Sequence, residues 1–207
     1  MLNKATIERL IIYNRVIKEL CSKGEKWVTS TDIAEVLSKT PAQVRKDISS
    51  LGPKGKRGVG YNIKSLIGDL DKALGLNAGY NLALVGAGNL GRALIGYPGF
   101  KREGFICHLI IDSDPGKIGK KISGIRVESS EKLSEKIKTN KIDIAVIAVP
   151  AAAAQGVADK VIEGGIKEIL NFAPVTINAP EVVNIRYVDL ALELENLAYL
   201  LNYRKKR

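Results

Sequence analysis

The stretch "LALVGAGNLGRALIGYPGF", residues 82–100, constrains this chain more than any other. An apolar run enters Gly86, Gly88 and Gly91, spaced G-x-G-x-x-G, and a helical pattern opens at Asn89. Gly86 allows a tight turn. Gly88 lets the backbone approach a pyrophosphate, and Gly91 lets a helix pack close on its strand. The amides around Ala87, Asn89 and Leu90, at the start of that helix, then offer N–H groups and a positive dipole end to phosphates. The motif alone is weak and gains force from its surroundings. A second apolar strand, "FICHLIID", ends at Asp112, 21 residues beyond Gly91. A carboxylate there suits a ribose 2′-OH and repels a 2′-phosphate, which favours NAD(H) over NADP(H). The plainer reading of Asp112 is a strand-end turn with Asp114 and Pro115.

Beyond Asp112 the pattern alternates as βα units require, giving an α/β fold with a Rossmann-like, doubly wound parallel sheet. "KIDIAVIAVP" reads as a buried strand and "AAAAQGVADKVIEGG" as its helix. "IKEILNFAP" and "VNIRYVDL" read as later strands. Ligands of such sheets lie at the carboxyl ends of the strands. Ala148, Val149, Pro150, Asn171 and Phe172 are therefore expected to line a cofactor cleft. Core packing is the other reading of Phe172.

Charge separates the N-terminal third from this body. Residues 1–79 carry 14 Lys+Arg against 8 Asp+Glu, a net +6. Residues 80–203 balance at 14 of each, and the closing "RKKR" adds +4 to reach the chain's +10. Positive charge confined to one segment points to a polyanion there.

The pattern of that segment agrees. Residues 5–21 place Ile7, Leu10, Ile11, Ile17, Leu20 and Cys21 on one helical stripe. Thr29 and Asp32 have capping-box spacing, with Ile33, Val36 and Leu37 facing inward. Thr40 and Gln43 repeat that spacing, and Pro41 takes the first helical position. Val44, Ile48 and Leu51 face inward, and Gly52 is placed to end the helix left-handed. Two short helices so joined make a helix-turn-helix. The outward face of the second carries Gln43, Arg45, Lys46 and Ser49, types that suit a major groove. "GPKGKRGVGYNI" then reads as the basic wing of a winged helix. Lys54, Lys56 and Arg57 serve as phosphate contacts, and Gly58 and Tyr61 belong to the same surface. A helix with Ile63, Leu66, Ile67, Leu70 and Leu74 inward closes the module.

The last segment, "DLALELENLAYLLNYRKKR", is helical but apolar nearly all round, so it needs burial on several sides. Insertion into a second subunit is one reading, and docking on its own domain is the other. The resulting boundaries are 1–78 for the winged helix, 79–188 for the Rossmann unit and 189–207 for the terminal helix with its basic tail.

Chemistry finds little support. His108 is the single histidine and lies within a strand rather than at its carboxyl end. No Cys/His cluster could hold a catalytic metal. No apolar run nears the roughly 20 residues of a membrane span. The N-terminus lacks a secretory pattern. Cys21 and Cys107 sit in apolar stretches and read as buried thiols of a reducing cytoplasm.

These motifs together resemble the Rex family of redox-sensing transcriptional repressors. The likeness rests on "TPAQVRKDISSLG", "GKRGVGYNI", "ALVGAGNLGRAL", "YPGF", "IDIAVIAVPA", "ILNFAPV" and "VDLALELENLAYLL". The resemblance implies a homodimer with swapped C-terminal helices, NAD(H) in each Rossmann cleft and paired winged helices on a palindromic operator. It implies release of DNA with NADH, and a polar switch set of Arg15, Tyr97 and Asp189. Two other readings remain: an NAD-dependent oxidoreductase with an accessory basic domain, and a CoA-binding module, against which Asp112 argues.

Overall fold

A computed structural model describes residues 2–205. Residues 206 and 207 of the basic tail lie outside the described residues. The chain divides between Ala78 and Gly79 into two units.

The first unit begins with α1 (Lys4–Ser22), capped by the Asn3 side chain on the Thr6 N–H. A two-residue strand, β1 (Trp27–Val28), leads to α2 (Ser30–Leu37). Thr29 and Asp32 form the expected reciprocal cap of α2. Next come α3 (Pro41–Ser49), β2 (Tyr61–Asn62) and α4 (Ile63–Leu74). β1 and β2 pair antiparallel, with Val28 opposite Tyr61. Leu10, Tyr13, Ile17, Ile33, Val44, Ile48, Ile63, Leu66 and Leu70 fill the core between these helices.

Four details correct the sequence reading. Val36 is 60% exposed, so the inward face of α2 rests on Ile33 and Ala34. α3 is only half a capping box: Thr40 accepts the Gln43 N–H, but the Gln43 side chain turns to Asp47. Gly52 does adopt φ +98°, but α3 has already ended at Ser49 with a right-handed cap at Ser50. Tyr61 points into the core and is 9% exposed, which removes it from the wing's outer surface.

The second unit is built on β3 (Tyr80–Val85), followed by α5 (Asn89–Gly96) and the short α6 (Pro98–Arg102). Then follow β4 (Phe105–Asp112), a hairpin of β5 (Lys121–Ile122) and β6 (Ile125–Ser129), and α7 (Leu133–Thr139). β7 (Ile144–Ile147), α8 (Ala151–Glu163), β8 (Glu168–Asn171) and β9 (Asn184–Tyr187) complete the body. The strand order is β5-β6-β4-β3-β7-β8-β9, parallel throughout except for the β5–β6 edge. Counting parallel strands by sequence gives 3-2-1-4-5-6, with the order reversing between β3 and β7.

Alternation along β3 sends Ala83 and Val85 to one face and Leu84 to the other, and each joins a separate core cluster. α7 and α8 cover the first face through Leu133, Ile137, Ala154, Ala158 and Val161. α5 contributes Leu94 and Ile95 to the second. Among the described residues no helix is long and apolar enough to cross a membrane.

Candidate functional site

The carboxyl ends of β3, β4 and β7 open onto a cleft of ≈ 660 Å³. It lies at the point where strand order reverses, the usual ligand position in such sheets. Gly86, Gly88, Asn89, Leu90, Asp112, Ala148, Val149 and Pro150 all line it.

The three glycines are needed for different reasons. Gly86 has φ +103°, and a Cβ there would strike the Ala148 carbonyl. A Cβ on Gly91 would strike the Gly86 carbonyl, so α5 can approach β3 only with glycine at that position. Gly88 has nothing within 4 Å of a would-be Cβ. Its freedom faces the cleft, at the N-cap of α5, where no side chain satisfies the helix N–H groups. An anion fits that arrangement.

Asp112 is buried at 7% exposure. Its carboxylate accepts the Ala87 N–H at 2.7 Å, the Asp114 N–H at 2.9 Å and the Lys117 ammonium at 3.0 Å. Burial pushes this carboxyl up. The hydrogen bonds from Asp114, Lys117 and Ala87 outweigh that effect and hold it below the ordinary carboxylate value. The turn with Asp114 and the cleft-lining position are therefore both present, since the two readings do not exclude each other. A carboxylate has about four lone-pair sites, so three protein donors leave room for a further one.

Other residues stand elsewhere. Ala87 is fully buried and its N–H is committed to Asp112, so it supports the turn and faces no ligand. Asn171 is fully buried at the end of β8. Its side chain donates to the Ala173 and Val175 carbonyls and accepts the Ala173 N–H, a local turn rather than a cleft wall. Phe172 packs against the second core cluster and does not line the cleft. Cys21 and Cys107 are free and half-buried rather than buried. Burial pushes the Cys107 thiol up to about 11.

The sequence reading missed Lys117, Ser113 and Lys160, which line the same cleft. Lys117 carried a signal. Asp114-Pro115-Gly116 is turn-forming, and the Gly116 N–H donates to the Asp114 side chain at 2.8 Å, which folds Lys117 back onto Asp112.

Groups that could move protons are poorly placed. His108 is exposed in mid-β4. Tyr97 and Lys101 stand at Tyr-x-x-x-Lys spacing. That pair serves proton transfer when both side chains share one helix face, whereas Tyr97 is the extended N-cap of a five-residue helix. Its ring, 56% exposed, meets Phe100 edge-on at 5.6 Å. Arg15 is exposed on α1, and Asp189 caps the terminal helix through the Ala191 and Leu192 N–H groups.

In the first unit α3 presents Arg45, Lys46 and Ser49 to solvent. Arg45 also donates to the Ser30 hydroxyl at 2.9 Å. Gln43 is half-buried. The wing is a tight loop closed by Lys56 and Gly60, which exchange backbone bonds of 2.7 and 2.9 Å. Lys54, Lys56, Arg57 and Gly58 are exposed on it. Gly60 fits only as glycine, because at φ +97° a Cβ would strike the Val28 carbonyl.

The terminal helix α9 (Leu190–Lys205) has Leu190, Leu192, Leu194, Leu197, Tyr199, Leu200, Leu201 and Tyr203 all exposed. Docking on its own body, one of the two sequence readings, is thereby ruled out in this structure.

Comparison with known proteins matches both halves. Residues 77–175 fit a family model described as CoA binding domain, and residues 2–49 fit one described as putative DNA-binding protein N-terminus. The redox-sensing transcriptional repressor Rex of Carboxydothermus hydrogenoformans is 48% identical over 95% of this chain and 94% of its own. That of Desulforamulus reducens is 47% identical over 98% and 97%. Among solved structures, RSP in complex with beta-NAD+ and operator DNA superposes with a TM-score of 0.94 at 36% identity, covering 99% of this chain and 94% of that one. RSP with beta-NADH gives 0.88 at 35% identity, covering 99% and 96%. With a DNA-binding fold at one end, a nucleotide cleft at the other and this likeness along nearly the whole length, the chain belongs to the Rex family of redox-sensing transcriptional repressors.

Proposed function

We propose that this chain is a transcriptional repressor that binds operator DNA and reads the NADH/NAD+ ratio. The observation that carries the reading is the joining of a basic winged helix to a Rossmann cleft in which Gly88, open to the cleft, stands at an uncapped helix N-terminus. It is a regulator and not an enzyme, as its relatives are repressors.

The cleft residues fit a dinucleotide. The Asn89 and Leu90 N–H groups, with Gly88, would hold the pyrophosphate, and Asp112 would accept from a ribose hydroxyl. Ala148, Val149 and Pro150 would wall the nicotinamide end. The bound nucleotide supplies a ring that is cationic when oxidised and neutral when reduced. Desolvation in an apolar subunit joint favours the neutral form. Tyr97, Arg15 and Asp189 are the residues proposed to differ between the two states.

α9 favours a homodimer. A helix with leucines and tyrosines exposed on every side is stable when a second subunit covers it. Two subunits would present two α3 helices to successive major grooves of a palindrome, which lie roughly 34–36 Å apart. Cytoplasmic placement follows from this role, beside the DNA and the nucleotide pool.

The test is operator binding at a fixed total nucleotide concentration with varied NADH/NAD+ ratio. Affinity is expected to fall steeply as NADH rises. Equal affinity at all ratios would remove the sensing function. The CoA description of the matched domain model supports a second reading. Tighter binding of coenzyme A than of NADH would favour it.

A further inference from the structure

Gln43 is the third residue of α3, close to the N-terminal end that a recognition helix directs at base edges. Its amide nitrogen donates to Asp47 Oδ1 at 2.8 Å, one helical turn along. Asp47 is itself 3% exposed and held from several sides. Arg9 of α1 donates through Nε to Oδ2 at 2.7 Å and through Nη2 to Oδ1 at 2.9 Å. The Tyr13 hydroxyl adds a bond to Oδ2 at 3.0 Å, and Arg9 is steadied by Thr6 Oγ1 at 3.0 Å. The Arg9 bond leads the effects on Asp47. Burial opposes it, the Tyr13 and Gln43 bonds reinforce it, and the carboxyl stays below its ordinary value. An anion so held cannot turn away, and it accepts only.

The amide of Gln43 is thereby oriented. Its nitrogen must face Asp47, because the alternative would set a carbonyl against a carboxylate. The carbonyl, freed from the capping box, has no donor among the described residues and is open to solvent. We infer that Asp47 is a positioning residue for DNA reading: held by Arg9 and Tyr13, it fixes the Gln43 amide so that its carbonyl accepts from a base amino group, adenine N6 or cytosine N4, in the major groove. The inference rests on the proposed DNA contact of α3. It replaces the view of Gln43 as a freely rotating surface amide with one whose donor and acceptor ends are assigned before DNA arrives.

The test uses the full chain. Selection from randomised duplexes first locates the base pair whose preference Gln43→Ala erases. Deleting the amino group there, with purine for adenine or 2-pyrimidinone for cytosine, is expected to weaken the wild type about tenfold. The same deletion should leave Gln43→Ala and Asp47→Ala unaffected, while binding of non-specific duplex persists in both. A wild type indifferent to the deletion overturns the carbonyl contact. Full sensitivity in a folded Asp47→Ala overturns the positioning role. If Gln43→Ala erases no preference, the base contact itself fails, a result distinct from failure of the Asp47 role. Should Asp47→Ala unfold, Asp47→Asn replaces it, since a neutral amide of the same shape can donate as well as accept and no longer fixes which end of the Gln43 amide faces the DNA. Its expected result is reduced sensitivity to the deletion, and full sensitivity overturns the positioning role.

Discussion

The Asp112 carboxylate accepts the Ala87 N–H at 2.7 Å, tying the end of β4 to the middle of the glycine turn. The residue proposed to hold the ribose therefore also holds the loop proposed to meet the pyrophosphate. Asp112→Ala is expected to weaken NADH about tenfold or more and to leave operator binding without nucleotide intact. It also strands a buried N–H, at about 1–3 kcal/mol of stability in the Rossmann unit. Calorimetric titration with NADH, beside a thermal melt, separates the two effects. An unchanged NADH affinity would remove the ribose role.

Lys117 reaches Asp112 at 3.0 Å and Asp114 at 3.7 Å. Its charge offsets that of the carboxylate proposed to repel a 2′-phosphate. Lys117→Met is expected to sharpen the preference for NADH over NADPH several-fold, because Asp112 is left uncompensated. Competition titrations with the two nucleotides read the ratio directly, and an unaltered ratio contradicts the prediction.

Gly88 and Gly91 should part company. Gly91→Ala sets a methyl against the Gly86 carbonyl, backbone against backbone, so it is expected to destabilise the Rossmann unit by several kcal/mol. Gly88→Ala meets no protein atom and should melt within about 1 kcal/mol of the wild type. Its methyl would stand where the pyrophosphate approaches, so NADH binding is expected to fall at unchanged stability.

Arg57 is exposed on the wing loop. As a phosphate contact, Arg57→Ala should weaken specific and non-specific duplexes alike. The slope of log affinity against log salt should become shallower by about one. A change in base preference alone would mean that the wing reads bases.

Asp47 and Asp112 are both held below the ordinary carboxylate value, Asp47 chiefly by Arg9 and Asp112 by hydrogen bonds that outweigh its burial. Their stabilisation is complete above the unfolded value of about 3.9 and is lost as pH falls through the lower folded values. Thermal stability should therefore hold down to about pH 5 and then drop. Asp47→Asn should flatten that drop in melts of the full chain.

Local patterns carried most of the architecture. The caps at Thr29 and Thr40, Pro41 at the first turn, the glycine spacing and the alternation along β3 each concern residues within a few positions of one another. Such features act through backbone geometry and are legible before any packing is known. Lys117 was also local, hidden in an ordinary-looking turn.

The sequence by itself determined two units of opposite character, a basic helical one and a βα one with a phosphate-binding turn. Only the tertiary structure decided where polar groups spend their hydrogen bonds. Asn171 closes its own turn, Tyr61 enters the core, and Gln43 abandons its cap for an aspartate held by a helix 38 residues away in sequence. A side chain has several partners within reach of its rotamers, and packing from distant segments selects among them. The exposed α9 is the converse case. Its sequence already called for burial on several sides, and among the described residues of the single chain its leucines and tyrosines stay exposed.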